Sequence, residues 1–263
     1  MFNMAVVTLK GIFRDRVFHG IIVVGIIFLL IPSVCSLSMR QVTELSITLS
    51  LSLLSFILLL LAVFLGGTSL WKDIERRYTF SVLSLPIDRW SYLFGKFMGV
   101  ALFMTMTACV LGGIALLIVW LVSGTYPPDR PVVWSYLVAA IAFDVFKYLL
   151  LIAIAILFST VSTSFFLPVF GTICIFIVGC ASQQVYDYLH SSTSVDIAPY
   201  VKKVATVLYY VLPNFSAFDL KVNAIYAIAP DGKGLVLTVL YCFVYTSLIL
   251  ISAALLFLHR EMK

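Results

Sequence analysis

Six apolar runs, each long enough to cross a lipid bilayer as a helix, constrain the fold of this chain more than any other feature of its sequence. They cover residues 17–38, 47–70, 95–121, 134–158, 165–183 and 235–258. An α-helix rises about 1.5 Å per residue, so about 20 residues cross a hydrocarbon core roughly 30 Å thick. The sequence therefore predicts an all-α integral membrane protein with six transmembrane helices, which we expect to form a single transmembrane domain over residues 1–263.

The composition also favours a membrane protein over a soluble one. Apolar residues make up 62% of the chain and charged residues 11%, whereas soluble globular domains carry about 25% charged residues. The run 17–38 follows Lys10, Arg14 and Arg16, as in a signal peptide, but it is longer than the apolar core of a signal peptide. We therefore expect it to be retained as the first span.

The distribution of Lys and Arg predicts how the helices are oriented in the membrane. If the N-terminus is cytoplasmic, ten of the 17 Lys and Arg residues lie on the cytoplasmic side and six on the outer side. Membrane proteins carry an excess of Lys and Arg in their cytoplasmic loops. We therefore predict that both termini are cytoplasmic, together with the connection between the second and third spans.

That connection is the most highly charged part of the first half of the chain. Apolar residues recur along it at helical spacing, which predicts a short helix across the membrane surface. Pro86 disfavours helix at the preceding residue, and Asp88 is placed to cap the next helix. We interpret the segment as a docking surface for a soluble partner; the alternative is a solvated loop against lipid headgroups. The apolar residues are Trp71, Ile74, Tyr78, Val82 and Leu85, and the charged residues are Lys72, Asp73, Glu75, Arg76, Arg77, Asp88 and Arg89.

Two other regions have the periodicity of amphipathic helices outside the six spans. Residues 2–18 predict an N-terminal helix on the membrane surface, or alternatively a cytoplasmic extension of the first span. In the outer segment 184–233, two short helices are expected on either side of Pro213, at the membrane surface or as linker helices with no role in transport. The apolar positions are Phe2, Val6, Leu9, Phe13 and Val17 in the first region, Val201, Val204, Leu208 and Leu212 before Pro213, and Phe218, Val222, Ile225 and Ala229 after it.

Motifs for nucleotide hydrolysis and metal-dependent hydrolysis are absent from the sequence. Gly95-Lys96 and Gly232-Lys233 lack the other residues of a P-loop, and no H-E-x-x-H motif occurs. The five cysteines are dispersed among apolar segments without the spacing of a metal site. We therefore predict that the chain is not an enzyme and that it holds no metal and no cofactor.

One pair of opposite charges is predicted inside a transmembrane helix, at Asp144 and Lys147 in the fourth span. Residues at i and i+3 are neighbours on one helix face, and a charge at the bilayer centre costs about 2.5–3.5 kcal/mol on insertion scales. The pair is therefore expected to face protein or water. Two interpretations stay open: the polar lining of a translocation path, or a self-neutralising contact with another helix.

The charged connection resembles a motif of a known family. It is similar to the pattern E-x-E-R-R-T-[apolar]-x-x-[apolar]-L-S-x-P-[apolar]-x-R-x-x-[apolar]-[apolar]-x-G-K of permease subunits of type-2 ABC exporters, in a branch related to permeases of copper-enzyme maturation systems. Tyr78 is an additional residue before Thr79, and Asp73 stands where the family commonly has Glu. The residues that match are Asp73, Glu75, Arg76, Arg77, Thr79, Leu83, Ser84, Pro86, Arg89, Gly95 and Lys96.

A second element is similar to the same family. Pro213, Asn214 and Phe218 match the P-N-x-x-x-F element that precedes the last span of these permeases. The resemblance implies an export permease of the bacterial inner membrane that forms a homodimer and works with a separate ABC ATPase, which binds ATP and Mg²⁺. It further implies an ATPase contact through the connection, with the turn 159–164 as a second, smaller contact. The residues implied in ATPase coupling are Asp73, Glu75, Arg76, Arg77, Thr79, Pro86 and Arg89.

The resemblance leaves the substrate and a second class of function open. The seven Met residues form no cluster within a span, so the copper-related branch does not imply copper as a substrate. A periplasmic accessory protein is a further expected partner. The alternative function is that of a membrane scaffold without transport activity that anchors a periplasmic maturation factor.

Overall fold

The computed structural model describes residues 2–13, 16–34, 41–75, 88–126, 128, 130–190 and 199–259, and within them all regular secondary structure is helical. A 3-10 turn at Ser216–Phe218 separates the two shortest helices of the second half. The helices are α1 (Phe2–Phe13), α2 (Arg16–Val34), α3 (Val42–Glu75), α4 (Arg89–Thr125), α5 (Trp134–Val161), α6 (Phe166–His190), α7 (Pro199–Val211), α8 (Lys221–Tyr226) and α9 (Gly232–His259).

Five helical segments are long and apolar enough to cross a membrane, and they coincide with the second to sixth predicted spans. Backbone N–H and C=O groups find no water partners in the hydrocarbon, so a long apolar run becomes a continuous helix. Pro168 does not interrupt α6, because it is the third residue of that helix, where its missing N–H has no intrahelical acceptor. The five segments are Val42–Asp73, Arg89–Thr125, Trp134–Val161, Phe166–Leu189 and Gly232–His259.

The first predicted span overlaps α2, which is not one of these five segments. Its 19 residues would extend about 28 Å at the usual helical rise. Helix α2 packs against α3 and α4. At Gly25, an added Cβ would lie 3.2 Å from Ile57 Cδ1, so the backbones approach closely there. The six-span arrangement therefore stays a prediction.

Helix α3 differs from the prediction at its C-terminal end. The predicted second span ends at residue 70 and a separate surface helix begins at Trp71, but α3 continues without a break to Glu75. Residues 68–75 contain no Gly or Pro that would end a helix. Most of the predicted surface helix, including Tyr78, Val82 and Leu85, lies outside the described residues.

Helix α1 forms where the periodicity predicts it, but its packed face differs from the predicted apolar stripe. Thr8 and Ile12 are buried, whereas the predicted stripe residues Val6 and Leu9 are only partly buried. The partner is α4, where Gly99 allows α1 to approach. The absence of a side chain at this position, rather than the apolar pattern of α1, selects the face that packs.

Replacing Gly99 by Val is expected to displace α1. A Cβ at this position would lie 2.6 Å from Thr8 Cβ and 2.8 Å from the Ala5 carbonyl oxygen, and overpacking of this kind costs about 1–3 kcal/mol. We expect faster trypsin cleavage after the exposed Lys10 and a lower melting temperature. Gly113→Val is the matched control, because a Cβ there would meet no atom within 4 Å. Equal cleavage rates in the two variants would contradict the α1–α4 contact.

Helix α5 lies at the centre of the bundle, and α9 lies at its edge. In the most apolar stretch of α5, 61% is buried, against 11% for α9. The main packing partners of α5 are α3 and α9, and an added Cβ at Gly66 of α3 would lie only 2.9 Å from Ala155 Cβ. The exposed apolar side chains of α9 are those expected of a helix that faces lipid.

Candidate functional site

The charged connection between α3 and α4 is bracketed by two helix ends whose side chains are in contact. Four of the residues implied in ATPase coupling, Arg76, Arg77, Thr79 and Pro86, lie outside the described residues. The other three, Asp73, Glu75 and Arg89, lie in the last turn of α3 and the first turn of α4. Their surroundings define what the connection is attached to.

Asp73 binds residues of α4. Its carboxylate lies 2.5 Å from Lys96 Nζ and accepts a hydrogen bond of 2.6 Å from the Tyr92 hydroxyl. Lys96 Nζ also donates to the Ser69 carbonyl oxygen at 3.2 Å, one turn earlier on α3. These charge-assisted bonds hold the two ends of the connection together. Asp73 is therefore engaged within the chain.

Arg89 binds the C-terminal end of α9. Its guanidinium Nη1 donates to the carbonyl oxygens of Phe257 and Leu258, each at 3.1 Å. The last four carbonyls of a helix lack intrahelical partners, and a cation is favourable at that end of the helix dipole. The Tyr92 ring stacks on Phe257 with centroids 6.1 Å apart. We call Asp73, Arg89, Tyr92, Lys96 and Phe257 the loop clamp.

Glu75 differs from the other two described coupling residues because its side chain is exposed at the end of α3. Nearby, Trp71 contacts Phe165 edge-on, with ring centroids 5.6 Å apart. Phe165 closes the short turn between α5 and α6, in which the Ser164 N–H donates to Ser162 Oγ at 3.0 Å. The end of α3 that leads into the connection therefore lies beside this turn, and the connection and the turn were predicted as two contacts for one partner.

The predicted capping role of Asp88 is not observed. Asp88 occupies the N-cap position of α4, but its side chain makes no capping hydrogen bond. Its backbone carbonyl accepts the Tyr92 N–H at 3.1 Å, as the first intrahelical bond requires. The first turn of α4 is instead attached to other helices by the side chains of Arg89 and Tyr92.

Asp144 and Lys147 form the predicted ion pair, and α3 completes their surroundings. The two side chains are 2.5 Å apart at the atoms Asp144 Oδ1 and Lys147 Nζ, and the residues are 2% and 5% exposed. Ser55 Oγ lies 3.4 Å from Asp144 Oδ1 and 2.7 Å from the Tyr148 hydroxyl. Lys147 Nζ also lies 4.8 Å from the centre of the Tyr148 ring. This arrangement supports a self-neutralising helix contact over a lining exposed to a path.

The predicted outer element is a compact structure that joins three helices. Asn214 Nδ2 donates to Gln183 Oε1 of α6 at 2.7 Å, and its backbone N–H donates to the Tyr241 hydroxyl of α9 at 3.0 Å. Its Oδ1 accepts the Ser216 N–H at 3.0 Å. The Tyr209 hydroxyl of α7 donates to the same Gln183 oxygen at 2.9 Å. Asn214 therefore links α6, α9 and the turn that follows it.

Gly179 of α6 makes this element possible. The Phe215 N–H donates to the Gly179 carbonyl oxygen at 3.3 Å. An added Cβ on Gly179 would lie 2.5 Å from the Pro213 carbonyl oxygen and 2.6 Å from Phe215 Cδ2. Phe215 and the predicted Phe218 are both buried, so the segment is packed into the helices rather than lying over them.

Sequence reasoning missed several residues that complete these three clusters. Lys96 was matched as the last residue of the motif, but its bond to Asp73 was not predicted. No pattern in the sequence pointed to Ser55 or Gly179, because a lone small residue in an apolar span is common. The other missed residues are Ser69, Tyr92, Tyr148, Gln183, Tyr241 and Phe257.

Helices of these lengths and compositions, joined by short connections, define a multi-pass α-helical membrane protein. Residues 4–262 match the family described as ABC-2 family transporter protein, and the chain belongs to that family. It is therefore a membrane permease component of an ABC transporter, as the resemblance of the charged connection implies. A comparison with curated proteins finds none that matches this chain.

Proposed function

We propose that this chain is the transmembrane subunit of an ATP-driven ABC exporter and that a separate ATPase subunit docks on the α3–α4 connection. Its family membership supports a permease that depends on an ABC ATPase. The observation that carries the docking site is the contact between Trp71 and Phe165, because it joins the end of α3, which leads into the connection, to the α5–α6 turn. A partner bound there touches the ends of α3, α4, α5 and α6 together.

ATP and Mg²⁺ belong to the partner in this proposal, because the sequence has no P-loop. The distribution of Lys and Arg supports placing the connection and both termini in the cytoplasm of a bacterial cell, with the chain in the inner membrane. Counting α2 as a span gives six spans and is compatible with both termini on one side. A second copy of the chain completes the transporter, and a periplasmic accessory protein is a further partner.

The exposed charge of Glu75 provides the test of docking. Reversal of this charge in Glu75→Lys is expected to weaken ATPase copurification by about tenfold, since a like-charge contact costs on the order of 1.4 kcal/mol or more. The substitution leaves the contacts of the loop clamp intact, because Glu75 does not belong to it. The measurement is the amount of ATPase subunit retained by the purified permease, together with its ATP hydrolysis rate.

Lys203→Glu is the matched control, because Lys203 is an exposed charge on α7, which lies far along the chain from the connection. We expect it to retain the ATPase at the wild-type level. A wild-type chain that is stable but copurifies with no ATPase would contradict the exporter and favour the scaffold alternative. Equal retention by Glu75→Lys and wild type would contradict docking through Glu75.

A further inference from the structure

Arg89 is expected from the resemblance to touch the ATPase, yet its guanidinium faces the end of α9. Its Nη1 donates to the carbonyl oxygens of Phe257 and Leu258, each at 3.1 Å. Those carbonyls lie in the last turn of a helix that ends at His259. Arg89 is also the first residue of α4, directly after the connection and its N-cap residue Asp88. It therefore links the docking surface to the last helix of the chain.

A second contact runs parallel to the first. Tyr92, one turn further along α4, stacks on Phe257 with an interplanar angle of 17°, and both side chains are buried. The Tyr92 hydroxyl donates to Asp73 at the end of α3. The end of α3, the start of α4 and the end of α9 are therefore joined through the loop clamp by packed and hydrogen-bonded side chains.

Helix α9 is suited to move with this clamp because it lies at the edge of the bundle and packs mainly against one helix, α5. Only 11% of its most apolar stretch is buried. Its N-terminal half carries Tyr241, whose hydroxyl accepts the Asn214 N–H, and Tyr245, whose hydroxyl donates to the Val211 carbonyl oxygen. Helix α9 therefore contacts the loop clamp at its C-terminal end and the outer element 213–218 in its N-terminal half.

We infer that Arg89 is a positioning residue that transmits displacement of the α3–α4 connection to α9, and through Tyr241 to the outer element. The inference rests on the proposed function, because a docked ATPase supplies the displacement. Arginine suits this role since its planar guanidinium is always charged and presents several donors in a fixed geometry. A lysine at the same position would keep the charge but present it as a point charge on a flexible stem.

The test uses the full permease–ATPase complex in lipid nanodiscs. Spin labels at Thr125→Cys, the last residue of α4, and at Leu237→Cys, an exposed residue near the start of α9, report the distance between their outer ends. The native cysteines are replaced beforehand. Pulsed electron resonance measures that distance with and without ATP, and copurification measures docking in the same preparations.

We expect a wild-type distance that shifts when ATP is added. Arg89→Gln should retain the ATPase at the wild-type level but lose most of the shift, and Arg89→Lys should show an intermediate shift. Glu75→Lys should instead retain about tenfold less ATPase. This pattern separates transmission through Arg89 from docking, because the two variants fail in different measurements.

Two outcomes would overturn the inference: an unchanged ATP-dependent shift in Arg89→Gln, or loss of the ATPase in that variant to the extent seen in Glu75→Lys. If Arg89→Gln does not fold, Arg89→Lys and Phe257→Leu replace it, and a wild-type shift in both would equally overturn the inference. Failure of the wild-type permease to retain any ATPase is a distinguishable result, because it refutes the proposed function itself and the transmission that depends on it.

Discussion

Replacing Asp144 alone by Leu is expected to destabilise the protein by about 3–5 kcal/mol, because it leaves a buried Lys147 without its counter-ion. Lys147 is 5% exposed, and its shortest described contact is the one of 2.5 Å to Asp144. The remaining hydroxyl of Ser55, at 3.4 Å, is too distant and uncharged to compensate. The melting temperature of the purified protein should fall accordingly.

The double variant Asp144→Leu with Lys147→Leu is the matched control for this loss. Replacement of a complete buried ion pair by apolar residues is often neutral or stabilising, so the double variant should melt close to the wild type. Similar melting temperatures for the single and double variants would show that the two charges are not coupled.

The double variant also separates the two interpretations of this ion pair, a translocation path and a helix contact. A translocation path requires the double variant to assemble but lose export, whereas a helix contact preserves export.

Replacing Gly179 by Val is expected to detach the outer element from α6. The added Cβ would lie 2.5 Å from the Pro213 carbonyl oxygen and 2.6 Å from the Phe215 ring, and the first of these atoms belongs to the backbone. The segment 213–218 must move, which breaks the bond from the Phe215 N–H to the Gly179 carbonyl oxygen. We expect a loss of about 3 kcal/mol, at the upper end of overpacking costs.

Hydrogen exchange measures this detachment directly. Amides in the segment 213–218 should exchange faster in Gly179→Val, while those in the centre of α5 should remain protected. Gly113→Val is again the control, since a Cβ there would meet no atom within 4 Å. Unchanged exchange at Phe215 in the Gly179 variant would show that the close approach does not hold the outer element in place.

The sequence predicted the five long apolar helices that the structure confirms because the signal for each lies within the segment itself. A long apolar run must satisfy its own backbone in lipid, and a helix does so without reference to any neighbour. The same local logic correctly predicted two short helices on either side of Pro213, α7 and α8, but the second is shorter than predicted, since Phe218 and Ala229 lie outside α8. The prediction was wrong at residue 70, because hydropathy falls there but α3 continues without a break to Glu75.

The partners of the polar residues could not be predicted in the same way. Asp73 and Arg89 matched a motif for contact with another subunit, yet both bind within the chain, to Lys96 and to the end of α9. Their partners are 23 and about 168 residues away along the chain, so no local pattern indicates them. Asp144 and Lys147 were predictable as a pair because they are three residues apart on one helix.

The charged connection shows how the two kinds of information differ. The sequence alone indicates the helical spans on either side of the connection, its charge and its resemblance to one family. These features depend on residues that are neighbours in the chain. The tertiary structure alone shows that its two ends are clamped together and attached to α9. That attachment depends on which helices lie side by side, and such proximity is set by close-packed approaches, such as those at Gly66 and Gly99, that a single helix does not encode.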